Sequence, residues 1–144
     1  MNDLILKEDE KIESLIYEVR GKQVMLDSDL ARLYECANGT KSINLAVKRH
    51  INRFPERFMF QLTQEEYDNL RFQLETTKNG NMARTLPYAF TEQGVAMLTT
   101  VIKTPIAAQM SINIMRAFVA MRKYISNDLM EQKYINNMVL EHDT

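Results

Sequence analysis

The 144 residues carry 45% hydrophobic and 26% charged side chains at a formal net charge of −1, which excludes a disordered or fibrous chain and fits one domain but not two. No apolar run approaches the roughly 18 residues of a membrane span, and Met1-Asn2-Asp3 lacks the basic start of a signal peptide, so a cytoplasmic protein without membrane contact is expected. The single Cys36, with only His50 and His142 beside it, excludes an internal disulfide and offers no zinc spacing, so neither a metal nor a cofactor is expected.

Residues 15–20 and 22–26 flank Gly21 with β-branched, aromatic and aliphatic side chains, the pattern of a β-hairpin. Asp27 and Ser28 then offer oxygens to free amides, opening a short helix with Leu30, Leu33 and Tyr34 on one face. Asn38-Gly39 breaks it. Thr40 is expected to cap a second helix running to about Phe54, stopped by Pro55. Phe58, Phe60 and Leu62 alternate as in a half-buried strand. Thr63-Gln64-Glu65-Glu66 reads as a capping box that starts a further helix, with Leu62 placed to staple onto Tyr67.

Residues 72–77 and 82–88 are open to two readings, continued helix or paired strands across Lys78-Asn79-Gly80-Asn81. Thr91 caps the next helix, which carries Val95, Leu98 and Ile102 at helical spacing. Gly94 in its first turn points to close approach of another backbone. Pro105 starts a long helix with Met110, Ile114, Phe118, Met121 and Ile125. The expected fold is a helix-rich α+β domain: an N-terminal β-hairpin, a helix-turn-helix unit with a possible β wing, and a long C-terminal helix.

The charge is unevenly spread, and this points to function. Residues 1–19 have two Lys against six acids, a net −4, and residues 127–144 have one against four, a net −3. Residues 20–57 instead hold eight Lys and Arg against four acids, a net +4, and local charge is what a phosphate backbone feels within a Debye length of about 8 to 10 Å. On the 40–54 helix, Ile43, Val47, Ile51 and Phe54 share an apolar stripe with His50 on its flank. Lys41, Asn44, Lys48, Arg49 and Asn52 fall on the opposite arc, followed by Arg53. Arg and Lys reach phosphates and guanine edges, and Asn pairs bidentately with adenine, so the arc suits a DNA major groove. Lys78 and Arg84 add cations to the candidate wing. Leu45, lying amid the polar arc, suits a thymine methyl or a protein partner instead.

Several separated blocks then carry a resemblance: 26–34 (Leu26-Asp27-Ser28-Asp29-Leu30-Ala31-Arg32-Leu33-Tyr34), 46–49, 53–62 (Arg53-Phe54-Pro55-Glu56-Arg57-Phe58-Met59-Phe60-Gln61-Leu62), 86–98 and 114–119. Over residues 12–124 the chain resembles the KilA-N type DNA-binding domain, in its phage "ORF six N-terminal" branch. Residues 125–144 remain as a C-terminal helical extension or the start of a variable region. The resemblance implies a phage- or prophage-derived bacterial regulator, antirepressor-like, with a small α+β DNA-binding module. Residues 35–42 depart from the family's turn and basic helix start.

Bland explanations cover other conspicuous residues: His50 as a packing or capping side chain, Cys36 as a small hydrophobe, Glu65-Glu66 as the capping box, and the methionines as core and interface filler. The four glycines are too dispersed for a phosphate loop, and no nucleophile has a readable activating partner, so no enzyme is expected. Two functions remain in view: a DNA-binding module reading duplex DNA with the 40–54 helix, and an antirepressor-like module binding a repressor or host protein with little DNA affinity. A homodimer through the C-terminal helix is also expected, since Leu129, Ile135, Met138 and Val139 extend its apolar length.

Overall fold

The computed structural model describes residues 12–74 and 85–122. In it β1 (Tyr17–Val19) and β2 (Lys22–Leu26) pair antiparallel across Arg20 and Gly21. Both turn residues have positive φ, 56° and 73°, the handedness that suits the right-handed twist of the strands. Gly21 adopts this freely, having no Cβ; Arg20 does so while its side chain is anchored elsewhere. The Arg20 guanidinium donates to both Glu66 oxygens at 2.8 and 3.0 Å and lies 4.2 Å over the Phe60 ring.

β4 (Tyr88–Thr91) inserts between β2 and β3 (Met59–Gln61), giving an antiparallel sheet of order β1-β2-β4-β3. The register places Met25, Phe90 and Met59 in one row across the strands, and Leu26, Ala89 and Phe60 in the next. Because successive side chains point to opposite faces, the two rows feed different cores. The first enters the main core with α1 (Asp27–Leu33), α2 (Thr40–Arg49), α4 (Glu92–Leu98) and α5, described over residues 105–122. The second packs with Leu62, Leu70 and Tyr67 under α3 (Gln64–Leu74). The half-buried strand expected at 58–62 forms: Phe60 and Leu62 are buried on one face, while on the other Gln61 is exposed and Met59 is partly buried against the main core.

Phe90 and Phe118 anchor the main core, each side chain contributing roughly 1.5 to 3 kcal/mol by burial, and Phe54 meets Phe90 edge-on at 6.2 Å. Ala107, Ile114 and Ala117 of α5 are buried in the same core, so the packed unit runs to the end of the described helix. Thr104 Oγ1 accepts from the Ala107 amide at 3.1 Å where that helix begins.

Local expectations meet mixed outcomes. The capping box forms in both directions, Glu66 N–H donating to Thr63 Oγ1 at 3.1 Å and Thr63 N–H to Glu66 Oε1 at 2.8 Å. Thr91 Oγ1 accepts from Gly94 N–H at 3.3 Å and so caps α4 as expected. A Cβ on Gly94 would lie 2.0 Å from the Phe58 carbonyl oxygen, which explains the glycine by close backbone approach. α4 ends at Leu98, so Ile102 lies beyond it. Residues 72–74 belong to α3 and Tyr88 to β4, which removes the ends of the alternative strand pairing. Residues 85–87 are not strand, and residues 75–84 of the expected wing, with Lys78 and Arg84, lie outside the described residues, as do the positions on which the dimer rests. Among the described residues no helix is long and apolar enough to cross a membrane.

Candidate nucleic-acid interface

α1 ends earlier than Asn38-Gly39 suggests, through Glu35 at φ 52°. Cys36 N–H donates to the Ala31 carbonyl at 3.0 Å and Glu35 N–H to that of Arg32 at 3.1 Å, a Schellman closure with glutamate where glycine is usual. Gly39, at φ 60°, then precedes α2 as its N-cap residue; Thr40 is already helical and caps nothing by its side chain. Tyr34, 3% exposed, locks the unit to α5 by a 2.9 Å bond between its hydroxyl and that of Ser111. Burial pushes the Tyr34 hydroxyl up, and likewise the thiol of Cys36, which packs against the main core as a hydrophobe would.

α2 presents two faces. Ile43 and Val47 are buried against α1 and the main core, while Lys41, Leu45, Lys48 and Arg49 are exposed. α2 stops at Arg49, and His50 leaves helical geometry with its Nδ1 3.0 Å from the Ala46 carbonyl oxygen, the capping role expected of it. A 3-10 turn, Ile51–Arg53, follows. This shortening corrects the expected stripe: Ile51 is 55% exposed, while Phe54 still reaches the core. The turn also exposes Asn52 and Arg53, the latter donating to Thr100 Oγ1 at 3.3 Å. Lys41, Lys48 and Arg49 of α2 and Asn52 and Arg53 of the following turn are thus all exposed, and Lys78 and Arg84 lie outside the described residues.

Asn44 differs. It is half-buried, and its side chain hydrogen-bonds Asp27. Asp27, 3% exposed, is the first residue of α1, and its place in the sequence suggests no more than a cap. Its Oδ1 accepts from Ser28 N–H at 2.8 Å, and its Oδ2 from Tyr88 N–H at 3.2 Å, so one carboxylate ties α1, β4 and α2 together. Burial raises its pKa, and the three hydrogen bonds oppose that rise. Asp29 is likewise raised by burial, against the pull of Arg32. Both carboxylates line an open cleft of about 700 Å³ with Asn44, Tyr67 and Leu86, and both are already engaged by protein partners. No signal near Asp27 in sequence announces a partner at Tyr88.

Comparison with known proteins gave no match among curated proteins and none among solved structures. A family model does match: the ORF6N domain, over residues 14–101. The match takes in the hairpin, the α1–α2 pair, the whole sheet and α4, and it ends before α5. With more than half of its length matched, the chain belongs to the phage-associated ORF6N domain family.

Proposed function

We propose that the chain is the DNA-binding module of a phage or prophage-derived regulatory protein, with α1, the turn and α2 acting as a helix-turn-helix whose second helix enters the major groove. One observation carries this reading: Lys41, Lys48 and Arg49 project from the side of α2 opposite the buried Ile43 and Val47, with no ion-pair partner among the described residues. α2 contains no acid to neutralise them. A helix held on its apolar face and cationic on the other is what groove entry requires. Family membership supports a phage-type regulatory role.

The test is a gel shift on a randomised duplex pool over a salt series. Lys48→Ala/Arg49→Ala should weaken binding and flatten the plot of log affinity against log salt by about 0.9 for each phosphate no longer neutralised. An unchanged slope removes both residues from the interface. A second reading, an antirepressor-like module for a repressor or host protein, draws on Leu45 and Ile51, 37% and 55% exposed around the cations. Failure of the folded chain to shift any duplex at low salt would favour it.

A further inference from the structure

The expected wing lies outside the described residues, yet the hairpin that is described carries cations at its own tip. We propose that Lys22, at the β1–β2 turn, and Arg57, just before β3, form a second surface that grips the phosphate backbone of the duplex; this rests on the DNA-binding reading above. The two side chains line adjoining open grooves of about 380 and 460 Å³, sharing both. Their neighbours are already neutralised. Arg20 is held by Glu66, with Glu56 at 3.8 Å, and Arg122 engages both oxygens of Glu92 at 2.5 and 2.6 Å. Lys22 and Arg57 are exposed and have no ion-pair partner among the described residues, so their charge is open to an incoming anion.

Both cations stand on fixed supports. The hairpin tip is pinned through Arg20, two residues before Lys22 in sequence, to Glu66 of α3. Arg57 follows the buried Phe54, which packs edge-on against Phe90, and its guanidinium lies 5.3 Å over the Phe58 ring. A pre-oriented guanidinium loses little freedom on meeting phosphate oxygens, and a lysine beside it adds a point charge. Gln23 and Gln93 border the same groove and supply amide donors. Lys22 and Arg57 stand at a hairpin turn and in a loop, outside the reader helix, so the surface is assigned to backbone positioning, which strengthens binding to every sequence alike.

The experiment is fluorescence anisotropy with the full chain on two labelled duplexes, one selected from a random pool and one random, over a sodium chloride series. Lys22→Ala/Arg57→Ala should melt as the unaltered chain does, lose affinity by the same factor on both duplexes, and show a slope shallower by about 0.9 for each phosphate set free. Lys22→Arg/Arg57→Lys should keep the slope. An unaltered slope in the alanine variant, with Lys48→Ala/Arg49→Ala still impaired, overturns this surface and leaves α2 as the reader. A loss confined to the selected duplex overturns the phosphate assignment. No binding of either duplex by the unaltered chain at low salt overturns both proposals.

Discussion

Two carboxylates hold this fold together in different environments. Asp27 is 3% exposed and bonds neutral partners, the Ser28 and Tyr88 amides and the Asn44 side chain. Glu66 is partly open to water and bonds a cation, Arg20, while closing its own capping box with Thr63. Their pKa values move in opposite directions: burial lifts Asp27, and Arg20 draws Glu66 down to about 2. The buried acid makes hydrogen bonds for which water competes poorly, whereas the partly open one makes a contact for which water and salt more readily substitute.

Removing Asp27 should have the largest effect. Asp27→Ala leaves the Tyr88 and Ser28 amides without their acceptor, and unfolding in urea should show a destabilisation of about 3 kcal/mol. A value below about 1 kcal/mol would mean that water takes over the acceptor role, and the contrast between the two junctions would collapse. Next comes Asn44→Ala, which removes one bond to the same carboxylate and should lower stability by about 1 to 2 kcal/mol. That outcome makes Asn44 a support for α2; unchanged stability with weaker binding to one selected duplex would return it to base reading.

The smallest effect belongs to the exposed junction. Glu66→Gln keeps a capping-box residue but removes the ion pair, and should cost about 0.2 to 1 kcal/mol, fading in 1 M salt. Its pH dependence has a definite sign. Arg20 holds the folded Glu66 below its ordinary 4.5, with water screening the pair, so the unfolded state binds more protons as pH falls below that value. The stability it supplies is present above pH 4.5 and lost as pH falls toward 2. Asp27, raised when folded, acts oppositely: the folded state binds the extra proton, so its titration adds stability as pH falls from above its raised pKa toward 3.8. Urea midpoints of the unaltered chain and Glu66→Gln, measured from pH 2 upward, should converge at the acid end.

The hairpin around Gly21, the Thr63–Glu66 box, the Thr91 cap and the α+β class are all legible in the sequence, because each rests on interactions within a few residues or on a short period. The cationic side of α2 is legible for the same reason: Lys41, Lys48 and Arg49 follow from helical spacing once Ile43 and Val47 are taken as core. Tertiary packing alone decided that α2 stops at Arg49, turning Ile51 outward while Phe54 docks on Phe90. It also decided that Met59 and Phe60 of β3 pack against different clusters, that Asp27 meets Tyr88 across 61 residues of chain, and that Arg20 meets Glu66 across 46. Periodicity says which side chains share a face, but the partner a face will meet is chosen only when distant segments compete for the same buried space.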